Sequence, residues 1–234
     1  MTKFIAIASG KGGTGKTTTA VNLATAFNDL GKDVVLLDAN LTTPHIALHL
    51  GLPEVPTTLH DAIRGISHIT EAMYLHPSGL KVIPGGIADL LTKKEKKKNL
   101  NELLLGLYGK TDLVIVDSAA GIGAEALEAI KASDETIIVT NSDLSSLADA
   151  LRTIKAAEEA GSVVLGIVLN RVNRVNFDLS LDDVESTLGK RIIAVIPEDK
   201  KIRKSLSVGH PVVHTYPFSP SSKEFRNLAK LLID

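Results

Sequence analysis

The sequence of 234 residues is long enough to bury a sizeable core and too short for two typical domains with a linker, so we expect one domain over residues 1–234. Its 26 lysine and arginine residues stand against 27 aspartate and glutamate residues, and the formal net charge of -1 excludes the global positive field of a protein that coats nucleic acid. The chain has no cysteine, which excludes disulfides, thiolate metal sites and iron–sulfur ligation by its own side chains.

Short aliphatic runs recur along the chain, and none of them alternates with polar residues, as is typical of strands covered on both faces. The six runs lie at 4–8, 34–37, 113–116, 136–139, 163–169 and 192–196. All are far shorter than the roughly 20 residues of a membrane-spanning helix. The opening residues lead into the first run without the apolar region of a signal peptide, so we expect a cytoplasmic protein.

Helical patterns separate these runs. One pattern covers residues 20–30 and ends at Gly31, and another covers residues 144–154 and ends near Gly161. Strands that alternate with helices predict an α/β fold, a doubly wound and mainly parallel β-sheet with helices on both faces. Ligands of such sheets bind beyond the carboxyl ends of the strands, so we look for a site in the strand-to-helix loops.

A lysine-rich run at 93–98 precedes a helical pattern of leucines at 100–107. A solvated helical face is the favoured interpretation of the lysines, and a surface for acidic lipid or nucleic acid is the alternative. One short run of like charges does not distinguish the two.

The first aliphatic run leads directly into a glycine-rich loop, and a helical pattern follows the loop. The loop reads Gly10-Lys11-Gly12-Gly13-Thr14-Gly15-Lys16-Thr17-Thr18 and matches G-x-x-x-x-G-K-[ST] between the strand and the helix that this motif needs. The glycines let backbone N–H groups turn toward phosphate oxygens, and the helix N-terminus adds positive potential. Lys16 would reach the β- and γ-phosphates, and the Thr17 hydroxyl would ligate magnesium.

A second lysine, Lys11, follows the first glycine of the loop, although the ordinary motif needs only one lysine. Lys11 is a solvated loop residue in one interpretation. In the other it reaches a γ-phosphate across a face-to-face dimer, as an arginine finger supplied in trans does.

Residues 11–17 resemble the deviant Walker A motif of the MinD/ParA ATPases, and other segments agree with this family. The run that ends in Asp38 looks like the family's second strand and switch I, and the run that ends in Asp117 is similar to its Walker B strand and switch II. Residues 140–146, 169–171 and 196–199 are similar to MinD in particular. The resemblance covers nearly the whole chain.

This resemblance implies a P-loop ATPase switch that binds ATP or ADP with Mg²⁺, forms an ATP-dependent homodimer and presents the dimer surface to a protein partner. Lys11 would then act across the dimer. The implied catalytic residues are Lys11, Lys16, Asp38, Asn40 and Asp117. The implied metal ligands are Thr17, Asp38 and Asp117, the last through water, as suits a hard cation that keeps several waters.

The family also implies the nucleotide contacts. Phosphate binding falls to Gly10, Lys11, Gly12, Gly13, Thr14, Gly15, Lys16, Thr17 and Thr18. Asn170 would bind adenine through its amide beside Arg171, and Pro197 and Glu198 would line the base. Asp143 joins this set at the expected dimer face.

The chain departs from the family pattern at Asn40, where relatives usually carry a second carboxylate that activates the attacking water. An amide cannot accept a proton as a general base, and losing such catalysis commonly costs 10²–10⁴ in rate, so slow hydrolysis is expected. Asn40 would either orient the water or trap the ATP-bound dimer. Two lesser departures, Ala119 and the segment 141–143, weaken any transfer of partner contacts from the family.

The last helix is predicted to begin with a capping box of Ser221 and Glu224 and to pack an apolar face on the fold. A peripheral membrane role would then need a segment beyond this sequence.

The histidine pairs His45/His49 and His210/His214 have helical ligand spacing, but neighbouring prolines disfavour a metal site. The alternatives that remain are a ParA-like DNA-partitioning ATPase and a nucleotide-binding scaffold that scarcely hydrolyses ATP.

Overall fold

The computed structural model describes residues 1–86, 98–173 and 179–233. All six predicted strands are present within these ranges, each within a few residues of its predicted ends. Residues 93–97 of the lysine-rich run lie outside the described residues, and the leucine pattern that follows them forms a short helix and a 3₁₀ turn.

The strands form one sheet in the order β3-β4-β2-β5-β1-β6-β7-β8. Their bounds are β1 Lys3–Ala8, β2 Val34–Asp38, β3 Tyr74–Leu75, β4 Lys81–Ile83, β5 Leu113–Asp117, β6 Glu135–Thr140, β7 Val163–Val172 and β8 Ile192–Pro197. Every pairing is parallel except that of β3 with β4. The predicted fold, a doubly wound and mainly parallel sheet, is therefore confirmed, with an antiparallel edge that the runs did not indicate.

The helices lie between the strands. Their bounds are α1 Lys16–Asp29, α2 Ile46–His49, α3 Leu59–Ile63, α4 Leu100–Leu104, α5 Ala124–Lys131, α6 Leu144–Glu159, α7 Leu181–Leu188, α8 Lys200–Leu206, α9 Val212–Thr215 and α10 Pro220–Leu231, with 3₁₀ turns at Ile69–Ala72 and Leu105–Leu107. Gly31 and Gly161 follow α1 and α6 with φ of 81° and 85°, as the two predicted helix ends require. Within the described residues, no helix is long and apolar enough to cross a bilayer.

Successive side chains of the central strand β1 enter different apolar clusters, because side chains of a strand alternate between its faces. Ile5 and Ile7 pack with α1, α9 and α10 on one face. Phe4 and Ala6 lie on the other face. Phe4 belongs to a cluster with residues of α3 and α4, and Ala6 belongs to a cluster with residues of α6 and α7. Both faces of the sheet are thus buried, which explains the continuous aliphatic runs.

The predicted cap of the last helix is wrong. Helix α10 begins at Pro220, and the hydroxyl of Ser219 accepts a hydrogen bond from the Ser222 N–H. The Ser221 hydroxyl instead donates to the carboxylate of Asp199, 2.7 Å away. Proline is well suited to the first helical position, since it has no N–H to satisfy there, and this moves the cap two residues upstream. The apolar face of α10 packs on α1 and β8, as predicted.

Candidate nucleotide site

The glycine-rich loop leaves the carboxyl end of β1 and enters α1 at Lys16. Gly15 has a φ of 96°, and a Cβ at this position would overlap the side-chain amide of Asn170. Glycine is therefore required here both by the backbone conformation and by the close approach. The loop is held against β7 by the same amide, whose Nδ2 donates to the Thr14 carbonyl at 2.7 Å.

The N-terminus of α1 faces the loop without a side-chain cap, and its first turn contains no acidic residue. The first N–H groups of a helix have no partners within the helix, and the helix dipole makes this end positive. Such an end attracts an anion. The local structure therefore fits the phosphate-binding role that the motif predicts for residues 10–18.

Lys16 and Asp117 form a buried ion pair at the base of the cleft. Lys16 Nζ lies 3.2 Å from Asp117 Oδ1, and the two residues are 7% and 1% exposed. The other carboxylate oxygen, Asp117 Oδ2, is buried and has no hydrogen-bond partner in the described part of the chain. An orphaned carboxylate oxygen beside a lysine and a hydroxyl-bearing loop fits a hydrated Mg²⁺ together with phosphate.

Asp38 lies next to Asp117 because β2 and β5 pair in register at these two residues. Its Oδ2 accepts hydrogen bonds from the N–H groups of His45 and Ile46, each at 2.9 Å, and its Oδ1 accepts one from the Asn40 N–H at 3.2 Å. Burial, together with the negative charge of Asp117, raises the pKa of Asp38 to about 7. The carboxyl group thus fixes the chain that follows β2.

The side chain of Asn40 is bound within its own turn. Asn40 Nδ2 donates to the Thr43 carbonyl at 2.6 Å, and Asn40 Oδ1 accepts from the N–H and the hydroxyl of Thr43 at 3.3 and 3.2 Å. In this geometry the amide closes the turn, and its oxygen already has two donors. The role in water activation stays a prediction.

A cleft of about 510 Å³ lies over the loop and receives most of the predicted phosphate contacts. Lys11 to Thr18 line one side of it, and Asn40, Arg171 and segments near 42–49 and 119–125 line the rest. Thr17 therefore borders the same space as the loop lysines, as its predicted metal role needs. Within the described ranges, no group of three or more histidine or acidic side chains is arranged to hold a metal.

Lys11 lies at the rim of the cleft, away from the Lys16–Asp117 pair at its base. Its Nζ is 2.8 Å from the Ser145 hydroxyl and 3.3 Å from Asp143 Oδ1. Asp143 also caps α6 through the Ser146 N–H, and hydrogen bonds from Ser146, from Ser145 and from Lys11 hold the pKa of Asp143 well below its usual range. The predicted pair of residues at the dimer face is thus found in contact within one chain.

Three of the four predicted base contacts line two separate cavities. Arg171, with a φ of 56°, lines the cleft over the loop. Pro197 and Glu198 line a neighbouring cavity of about 700 Å³ at the end of β8. Asn170 binds the loop carbonyl as described above, so its adenine contact stays a prediction.

Some residues of the cleft were not predicted from the sequence. Thr42, Thr43 and Glu125 line it from the segments that follow β2 and β5. Their common signal is their place just beyond the carboxyl ends of two central strands, where doubly wound sheets bind ligands. Small polar residues in such loops are too common to be singled out without the structure.

The fold and the loop together define a P-loop nucleoside triphosphatase. The ParA family, described as NUBPL iron-transfer P-loop NTPase, matches residues 1–233. The chain belongs to this family. The iron-transfer part of that description does not extend to thiolate ligation by this chain, which has no cysteine.

Within the family the chain is similar to archaeal MinD. It is 39% identical to an uncharacterized ATP-binding protein of Methanocaldococcus jannaschii over 229 residues, which cover 98% of this chain and 87% of that protein. The crystal structure of the cell division ATPase MinD of Pyrococcus furiosus has a TM-score of 0.93 at 35% identity and covers 100% of this chain and 99% of its own. The septum site-determining protein MinD of Pyrococcus horikoshii, complexed with Mg-ADP, has a TM-score of 0.93 at 34% identity, with 99% and 96% covered.

Proposed function

We propose that residues 1–234 form one ATPase domain that works as a MinD-like switch. It binds ATP with Mg²⁺, pairs with a second copy around the nucleotide, hydrolyses ATP slowly and so controls the position of a partner such as cell-division machinery. The observation that carries the proposal is the Lys16–Asp117 pair at the uncapped N-terminus of α1, with one Asp117 oxygen left without a partner.

The inner end of the cleft supports triphosphate chemistry. Lys16 is buried and is held by a single carboxylate oxygen, so it can exchange this partner for phosphate oxygens without leaving the cleft. Thr17 and the orphaned Asp117 oxygen would hold Mg²⁺, which would supply positive charge against the β- and γ-phosphates. Asp38, whose oxygens already accept three N–H groups, would then act by ordering the chain after β2 rather than as a strong ligand.

The rim supports pairing with a second copy. Lys11 is partly exposed and its present partners are solvent-accessible, so they can be exchanged at low cost. Leu144, which follows Asp143 in the chain, is 75% exposed. Ile122 is 47% exposed and follows Gly121, whose N–H donates to the Ser9 carbonyl at the start of the loop. Burial of such side chains between two copies would add to ATP-dependent association.

The cellular role rests on the relatives. Two of the compared structures are MinD proteins whose names assign them to cell division and septum placement. We infer a positioning role of the same class, with a protein partner that binds the composite surface of the dimer.

A nucleotide-binding scaffold that scarcely turns over is the second candidate. The hydrogen bonds of Asn40 favour this candidate, because both polar atoms of the Asn40 side chain are bonded to Thr43 and neither is free to orient water. Single-turnover hydrolysis measured beside ATP affinity separates the two: tight binding with no phosphate release over hours indicates the scaffold.

Titration calorimetry with ATP, with and without Mg²⁺, tests the proposed function. We expect micromolar or tighter ATP binding that weakens when Mg²⁺ is omitted, together with measurable release of phosphate. Absence of binding under both conditions would contradict the proposal.

A further inference from the structure

A carboxylate on α5 joins the chain that follows β2 to the opposite wall of the cleft. The Thr42 hydroxyl lies 2.5 Å from Glu125 Oε1, and the Thr42 N–H lies 3.4 Å from Glu125 Oε2. Both carboxylate oxygens therefore face one residue that is 83 positions away in sequence. Both partners also line the cleft over the glycine-rich loop.

The segment 40–43 is stiff within itself and anchored at one end. The bonds between Asn40 and Thr43 close it as a turn, and Asp38 accepts hydrogen bonds from the N–H of Asn40 within the turn and from the N–H of His45 beyond it. All of these bonds join residues of β2 and of the segment that directly follows it. The Glu125 contact adds a second anchor to this exposed turn, and this anchor comes from α5.

Two features of the surroundings stabilise the negative charge of Glu125. It lies in the first turn of α5, where the helix dipole favours a negative side chain. Thr42 supplies two donors to it.

We propose that Glu125 is a positioning residue for hydrolysis, which acts through Thr42 to hold the turn 40–43 over the reacting phosphate. This inference rests on the proposed ATPase function. The turn carries Asn40, which cannot accept a proton, so the rate depends on how well the turn orders water rather than on proton transfer to its side chain. A loosened turn would lower kcat and leave ATP affinity nearly unchanged, because the phosphates are held by the loop and α1.

The test compares variants of the two partners in the full chain. Glu125→Ala removes both acceptors, Thr42→Val removes the hydroxyl donor, and Thr42→Ser keeps both donors. Glu159→Ala is the matched control, since Glu159 is an exposed glutamate at the end of α6. Each protein is assayed for kcat and KM with ATP, and for amide hydrogen exchange of residues 40–46 without nucleotide.

We expect Glu125→Ala and Thr42→Val each to lower kcat about tenfold, with KM changed less than about twofold. Exchange at residues 40–46 should accelerate in both, also about tenfold. The double variant should be no worse than Glu125→Ala alone, because the Thr42 hydroxyl has already lost its partner in that variant. Thr42→Ser and Glu159→Ala should behave like the wild type.

Unchanged kcat and exchange in Glu125→Ala, or effects of the two single variants that simply add, would overturn the positioning role. A rise in KM with constant kcat would also overturn it, since Glu125 would then contribute to binding. Failure of the wild type to bind ATP is a different result: it contradicts the proposed function, whatever the exchange data show.

Discussion

The two lysines of the loop lie five positions apart and occupy opposite environments. Lys16 belongs to the inner wall of the cleft, which we define as Lys16, Asp38 and Asp117, and it is 7% exposed. Lys11 belongs to the rim, defined as Lys11, Asp143 and Ser145, where its side chain is 38% exposed. The inner wall is held by strand ends and burial, whereas the rim is held by side-chain contacts in solvent.

This difference indicates which part of the site is fixed and which can change. Asp38 and Asp117 are aligned by the register of β2 and β5, so their separation cannot change without disturbing the sheet. The rim contacts are of the exposed kind that contributes little to stability and exchanges readily. We therefore expect substitutions in the inner wall to affect nucleotide binding, and substitutions in the rim to affect association.

The largest effect is expected from Lys16→Ala. It leaves Asp117 buried without its cation and removes the charge that faces the phosphates, a loss of about 3 kcal/mol or more, or at least about 100-fold in ATP affinity. Calorimetric titration with Mg-ATP measures it. Lys11→Ala is the control and should bind ATP as the wild type does; equal losses in both variants would erase the distinction between inner wall and rim.

Asn40→Asp should raise steady-state turnover by about 10- to 100-fold. Aspartate cannot donate to the Thr43 carbonyl, so the turn loses that bond and gains a carboxylate that can accept a proton. Phosphate release at saturating ATP is the measurement, with the Glu159→Ala protein as reference. An unchanged or lower rate would show that the amide at this position does not limit hydrolysis.

Substitutions of the loop glycines should rank by backbone conformation and space. Gly15→Ala should destabilise the fold by about 2–4 kcal/mol, because it combines a φ of 96° with overlap on the Asn170 amide. Gly13→Ala, with a φ of 80° and no atom within 4 Å of the added Cβ, should cost about 1 kcal/mol. Gly12→Ala also has open space around its Cβ and should fall within about 0.5 kcal/mol of the wild type.

Urea unfolding of the nucleotide-free proteins provides these values. A Gly15→Ala protein as stable as Gly12→Ala would mean that the loop and β7 are not packed as described.

A small effect on stability is also expected at the rim. Asp143→Asn should lower the free energy of unfolding by less than about 1 kcal/mol at pH 7, since asparagine still caps α6 and the lost charge is exposed. Because the pKa of Asp143 is depressed in the folded state, its contribution is present above the ordinary value of 3.8 and declines as the pH falls below it. Urea unfolding at pH 7 and pH 3 should therefore show a smaller difference at the lower pH.

The sequence predicted the features that follow from local pattern. The six buried strands, α1 and the phosphate loop are present where aliphatic runs and the G-x-x-x-x-G-K-[ST] spacing indicated them. Strands β3 and β4, of two and three residues, carry no such pattern and were missed. The capping residue of α10 was misplaced because Ser219, Ser221 and Ser222 are all residues that can cap a helix. Pro220 at the first helical position and the contact of Ser221 with Asp199 distinguish them.

The contacts between distant segments could not be predicted. The Thr42–Glu125 bond and the Asn170 contact to the loop each join residues far apart in the chain, and neither follows from spacing. The same holds for the position of Pro197 and Glu198 in a cavity beside the cleft. The residues that would contact the adenine base lie at strand ends. How these ends are staggered is a property of the folded sheet, and the sequence does not show it.

Association measured by light scattering with Mg-ATP tests the central claim, that ATP switches this chain between a monomer and a dimer through Lys11. The wild type should be a monomer with ADP and a dimer with ATP, whereas Lys11→Ala should bind ATP and remain a monomer. A wild type and a hydrolysis-blocked variant that both remain monomeric with saturating Mg-ATP, or a Lys11→Ala protein that dimerises normally, would contradict it.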